Sequence, residues 1–221
     1  MASAHSTPTP VDAVHAALSA SPVLVGDVAR THARLVSLGV GRAGLLQVTV
    51  PMDAIREGSQ ALIDDLAALT AAGMSLGART TLHTGELTPA GLQQLLSEVW
   101  DVTEHNPMPE LEWPVLRPTM TDELLAALLD VSPQSIRRYA TGERDTPDDI
   151  AARLHFVALV NADIAGSYND RGIRRWWARP RAVLDARSPL DVLTGGFDPD
   201  GPVAAQVRGL AGALVGPGGA S

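Results

Sequence analysis

The sequence contains no cysteine, which excludes a disulfide framework, a thiolate zinc site and a cysteine nucleophile and fits a reducing compartment. It contains no lysine either. All 17 basic residues are arginine, a bias that reads as mostly compositional, although the planar guanidinium is also the better fork for phosphate and guanine. No apolar run approaches the roughly 18 residues of a membrane span. Residues 1–10, rich in Ser, Thr, Ala and Pro, lack the basic start and apolar core of a secretory signal. Together these absences point to a soluble cytoplasmic protein with no membrane partner. His5, His15, His32, His83, His105 and His155 are scattered, with no pair at metal-ligand spacing on one helix, and no glycine-rich phosphate loop follows a strand. Glu104-His105 is the nearest approach to an acid/base pair, but neighbours in an extended segment point to opposite sides. No enzyme, no catalytic residue, no metal and no cofactor are expected.

What is present is an ordinary globular composition, 45% apolar over 221 residues, enough for one generous domain or two small ones. The formal charge of −8 opposes indiscriminate coating of nucleic acid, which depends on neutralising many phosphates together. The charge is uneven, however: residues 171–187 hold six arginines against one acid, Asp185, a local net of +5.

Residues 1–22 read as a disordered or frayed lead, with a short helix possible near Val11 to Leu18. Val25, Val28, Ala29, Leu35 and Leu38 suit a helix, which Gly39, Gly41 and Gly44 interrupt before a β-branched run at 45–50. A stronger helix at 52–72 carries Ile55, Leu62, Ile63, Leu66 and Leu69 on one stripe, with Asp64 and Asp65 expected elsewhere. A second short strand is expected at 80–83, and a further helix opens at Thr88-Pro89 with Leu92, Leu95, Leu96 and Val99 on its apolar face. Residues 23–106 thus form a mixed α/β or helical domain, a candidate for dimerisation. Pro107, Pro109, Pro114 and Pro118 then oppose both helix and central strand, so 107–118 reads as an extended linker, or as a surface loop within one domain.

The most informative stretch is 119–165. Thr121 is a suitable N-cap for a helix carrying Leu124, Leu125, Leu128 and Leu129 toward a core. Asp130 can adopt the left-handed conformation a tight turn needs, Val131 can plug the core, and Ser132-Pro133 caps and starts the next helix. That helix buries Ile136 and part of Tyr139 and turns Gln134, Ser135, Arg137 and Arg138 outward before Thr141-Gly142 ends it. A helix of this kind reads base edges with its early residues. Gln134 and Ser135 are the candidates for bases and Arg138 for guanine; Arg137 and Arg144 suit phosphate anchoring, and Ser132 lies at the same edge. The same spacing also fits a plain helical hairpin whose arginines are merely solvated.

The string Asp130-Val131-Ser132-Pro133-Gln134-Ser135-Ile136-Arg137-Arg138-Tyr139, followed by Thr141-Gly142-Glu143-Arg144, resembles the helix-turn-helix of Xre-type regulators. Further on come an apolar helix at 148–165, then Arg174-Arg175-Trp176-Trp177-Ala178-Arg179-Pro180 and Arg187-Ser188-Pro189-Leu190-Asp191-Val192-Leu193. That order resembles the MbcA/ParS/Xre antitoxin family over roughly residues 119–215. Arg181 stands where the family has Asn, and Asp185-Ala186 stand where it has glycines. The resemblance implies a mainly α fold: an Xre-like helix-turn-helix and a carboxy-terminal helical domain at 166–215, with the mixed, mostly helical amino-terminal region before them and a flexible tail at 216–221. It also implies an antitoxin that neutralises a RES-type, NAD-consuming toxin and represses their operon.

On these grounds Arg174, Arg175, Trp176, Trp177, Arg179 and Arg181 are the candidate partner-binding residues. Adjacent tryptophans cannot both face a core squarely, so one is expected half exposed as an anchor. Both being partly buried is the competing expectation. The arginine run fits DNA phosphate, an acidic toxin surface or water. Double-stranded DNA, a protein toxin and a second copy in a two-fold dimer are the expected partners. A stand-alone transcription regulator with an amino-terminal sensing domain, and an adaptor that binds a partner without DNA, remain open.

Overall fold

The computed structural model describes residues 9–41, 51–77 and 87–214, with backbone alone for 51–54. Among the described residues there are eleven α-helices and no strand, so the fold is mainly α. The strands expected at 45–50 and 80–83, and the tail at 216–221, lie outside the described residues. The described residues divide into two compact units, one running to Val36 and from Val40 to Asn106, the other comprising Ser37–Gly39 and the chain from Pro107 onward.

The first unit opens with α1 (Pro10–Ala20). The Thr9 hydroxyl accepts the Asp12 amide at 3.2 Å and the Asp12 carboxylate accepts the Thr9 amide at 2.9 Å, a reciprocal cap that starts the helix on Pro10. Ala13, Val14, Ala17 and Leu18 are buried, and α1 packs against α3 (Pro51–Ala71) and α4 (Pro89–His105). The frayed lead is therefore corrected: from Thr9 on it is a capped helix with a buried face. Its small alanine-rich stripe gives too little hydrophobic contrast to be seen by periodicity.

Between these helices lies α2 (Leu24–Ser37), whose His32 Nδ1 meets Asp65 Oδ2 of α3 at 2.7 Å in the interior. Asp65 was expected to face away from the core and instead is buried, because His32 supplies the partner a buried carboxylate needs. Burial pushes the Asp65 carboxyl above its usual range, against the hydrogen bond from His32. Trp100 Nε1 donates to Thr31 at 2.9 Å, and Arg34 lies 4.4 Å over the Trp100 ring while pairing with Glu104. Glu104 is thus held by an arginine. His105, largely exposed at the end of α4, sits 3.4 Å from the Asp101 carboxylate.

The second unit is organised around α8 (Asp148–Ala165), which is buried on almost every side, from Ile150 and Leu154 to Val157, Val160 and Ile164. Such a helix needs neighbours all round. Four of them, α5 (Pro109–Thr119), α6 (Asp122–Leu129), α9 (Asp170–Ala178) and α11 (Pro202–Gly212), pack on it, with α7 (Pro133–Ala140) held by α5 and α6 and α10 (Pro189–Leu193) bridging α9, α11 and α6. Residues 119–165 and 166–214 thus share one core.

Helix α5 corrects the extended linker. A proline inside a helix costs about 3 kcal/mol, yet the stretch is helical. Pro109 sits at the first position, where no amide bond is lost, and Pro114 and Pro118, four residues apart, lie together on the exposed face. The opposite face buries Glu112, Trp113 and Leu116. Glu112 Oε1 meets His155 Nδ1 of α8 at 2.5 Å, and Trp113 donates to Thr146 at 3.0 Å while stacking on Tyr139 with centroids 6.4 Å apart. Burial of that face outweighs the two missing backbone bonds.

After α9 a 3-10 turn, Ala182–Leu184, leads into two successive left-handed residues, Asp185 (φ 55°) and Ala186 (φ 60°). These occupy the two positions where the family resemblance has glycines. The backbone therefore adopts a glycine-like path without glycine, closed by the Arg181 amide on the Arg187 carbonyl at 2.9 Å.

Candidate nucleic-acid interface

Helix α6 begins where the Thr121 hydroxyl accepts the Leu124 amide at 3.2 Å, and it buries Leu125, Ala126, Leu128 and Leu129. It ends on Asp130, left-handed at φ 56° and ψ 47°. The Val131 amide closes onto the Ala126 carbonyl at 3.1 Å, and Val131 itself is half-buried. Arg153 of α8 fastens this end, donating to the Leu129 carbonyl and the Phe197 carbonyl at 3.1 Å each. Ser132 then caps α7 by accepting the Ser135 amide at 3.1 Å, with Pro133 following. Thr121, Asp130, Ser132 and Pro133 take the roles their residue types suggested, whereas Val131, expected to plug the core, is only half-buried.

Helix α7 is anchored by Ile136, fully buried, and by Tyr139, whose ring stacks on Trp113 and has the Arg144 guanidinium 5.5 Å from its centroid. Gly142, at φ 70°, turns the chain away. Opposite the anchor, Gln134, Arg137 and Arg138 are exposed along one helix, with Ser132 and Arg144 exposed at its two ends. Ser135 is half-buried, and its hydroxyl lies 3.0 Å from that of Ser132, so both hydroxyls are engaged in the cap. Gln134 is the polar side chain left outermost at the helix start.

The exposed cations are not isolated. Arg138 Nε lies 3.0 Å from Glu143, while Arg137 Nε donates to the Pro133 carbonyl at 3.3 Å and stands 3.9 Å from Asp122. Asp122 is shared, since its other oxygen takes Arg117 Nε at 3.2 Å. Neither acid was singled out by sequence reasoning. Glu143, five residues beyond Arg138, was a readable signal; Asp122 was not, because its approach to Arg137 depends on how α6 and α7 cross.

On α9 the outcome for the tryptophans is a correction. Trp176 is 3% exposed and Trp177 is fully buried, so neither is an exposed anchor. The two rings meet edge to face at 5.3 Å, which lets consecutive residues enter one core, and Trp177 Nε1 donates to Asn161 of α8 at 2.8 Å. Arg174 is turned inward, donating to the Thr119 carbonyl at 2.6 Å. Arg175 and Arg179 are exposed and Arg181 is half-buried with its guanidinium 5.4 Å over the Trp176 ring. Among the described residues no group of three metal-ligating side chains is found, and no helix is long and apolar enough to cross a membrane.

No protein-family model matches the chain, and neither the curated proteins nor the solved structures give a significant match.

Proposed function

We propose that this chain is a repressor-type antitoxin that reads double-stranded DNA through α7 and binds a protein toxin through its carboxy-terminal helices. The observation that carries the DNA half is the division of α7 into two faces. Ile136 and Tyr139 fix one face against α5 and α6, while Gln134, Arg137 and Arg138 line the other in the chemistry suited to base edges and phosphate. In this reading the protein is a binder in the cytoplasm, acting as a two-fold dimer on a symmetric operator. It is not a catalyst. The toxin half, with a RES-type partner, is supported by the resemblance over residues 119–215.

The pairing of Arg138 with Glu143 and of Arg137 with Asp122 favours the adaptor as a second reading. Magnitude favours the first. Exposed ion pairs are worth about 0–1 kcal/mol, less than a good bidentate contact to a base at about 1–3 kcal/mol. A duplex can therefore displace both acids. A titration of the protein on DNA from upstream of its own gene, against a scrambled duplex at physiological salt and with Arg138→Ala alongside, tests the reading. Selective binding weakened by the substitution is the expected result; equal, weak binding to both duplexes overturns it and leaves the adaptor.

A further inference from the structure

A second basic surface lies on α9. A groove of about 760 Å³ is lined by Tyr168, Gly172, Arg175, Trp176, Arg179 and Arg181. Gly172 makes room for one wall, since a Cβ there would stand 2.9 Å from the Tyr168 ring. Unlike Arg117, Arg137 and Arg138, the three arginines here have no carboxylate within ion-pair distance among the described residues. The Nε of Arg181 is buried and has no acceptor, an uncompensated loss of hydration for a charged group. In a chain with a net charge of −8, three unpaired cations converging on one groove mark it as a site for an anionic group.

The surroundings select the kind of anion. Tyr168 remains 38% exposed in the groove wall, and Val183, two residues beyond Arg181, is 65% exposed. Arginine beside an aromatic wall and an exposed apolar side chain is the composition of a protein-binding surface, whereas a phosphate would engage the guanidiniums alone and leave the apolar side chains uncovered. We infer that the α9 groove binds an acidic segment of a protein partner, its carboxylates on Arg175, Arg179 and Arg181 and an apolar side chain against Tyr168. The inference rests on the partner-binding half of the reading above and is independent of its DNA half.

The test selects a random dodecapeptide library on the full chain and compares retention on the double variant Arg175→Glu, Arg179→Glu. Both positions are exposed, so the variant should keep the wild-type thermal midpoint, which is measured first. The expected result is enrichment of peptides rich in Asp and Glu with an apolar residue, with affinity lowered about tenfold or more by the reversal. Three results overturn the inference: peptides without acidic enrichment, acidic peptides that bind the variant equally well, or loss of duplex binding in the variant comparable to that caused by Arg138→Ala, which assigns the groove to DNA. Failure to recover any peptide overturns the partner-binding reading with it. A wild-type dimer split by the reversal, measured by light scattering, also overturns it, the occupant then being a second copy.

Discussion

The outer face of α7 and the groove on α9 are both arginine-rich, and they differ in how the charge is kept. On α7 each of the two central arginines has an acid nearby, Glu143 for Arg138 and Asp122 for Arg137. In the α9 groove Arg175, Arg179 and Arg181 stand without acids among the described residues, and Arg181 leans on the Trp176 ring. Acid-guarded cations attract any phosphate weakly and reward only a partner that makes enough contacts to displace the guards, which favours selectivity over affinity. Unguarded cations do the reverse: they capture an opposite charge readily and leave discrimination to the shape around them.

The strongest way to break this contrast is to remove what underlies the groove. Trp177→Ala should destabilise the second unit by about 3–5 kcal/mol, because the ring is fully buried and its loss strands the Asn161 acceptor. Denaturant unfolding checks it, and a near-wild-type midpoint would return Trp177 to the role of an exposed anchor. Next in size, Arg138→Ala should weaken binding to the cognate duplex by about 1–3 kcal/mol and relax preference at one base position, as read in the titration described above.

Removing the guards sharpens the comparison from the other side. Asp122→Asn with Glu143→Gln should raise affinity for a scrambled duplex up to about thirtyfold, the ceiling set by two exposed pairs each worth no more than about 1 kcal/mol. The increase should fade at high salt. A flat result would mean that the acids do not restrain α7. Smaller again, Ala186→Gly should stabilise the unit by about 1 kcal/mol by relieving the left-handed strain, seen as a higher thermal midpoint with peptide binding unaltered.

The smallest effect leaves both faces alone. Asp65 is held above the ordinary carboxylate range chiefly by burial, so the folded state keeps its proton over a pH window in which the unfolded chain has lost it. The contribution to stability is therefore fully present below the ordinary aspartate pKa and declines as pH rises through the raised value. Hydrogen exchange of amides in α2 and α3 should show protection decreasing across that window in the wild type, and Asp65→Asn should flatten the profile.

Much of the helix-turn-helix could be read from the sequence because its instructions are local. Thr121, Asp130, Ser132 and Pro133 each act on a backbone group within a few residues, so their types suffice. What could not be read depended on partners distant in sequence. The helix α5 exists because Trp113 and Glu112 meet Tyr139, Thr146 and His155, contacts invisible beside four prolines that argue locally for an extended chain. Asp65 looked like a surface acid until His32, 33 residues earlier, was brought against it. The tryptophan pair misled for a geometric reason: adjacency places two side chains about 100° apart on a helix, and a core wrapping far enough round α9 takes both. Positions 185 and 186 show the converse. Neither residue is glycine, yet both take the left-handed conformation that glycine favours.

The loop from Arg181 to Arg187 bears on how fast and at what entropic cost the groove would be filled. Five backbone bonds inside seven residues, the Leu184 and Ala186 amides to the Arg181 carbonyl, the Asp185 amide to Ala182, the Arg187 amide to Leu184 and the Arg181 amide to Arg187, set its shape at folding. A segment entering the groove would meet a backbone already set at Arg181 and would forfeit mainly its own freedom. Association at this surface should then be steered by charge and close to a single kinetic step, with its lifetime determined by how well the partner's apolar side chain seats beside Tyr168.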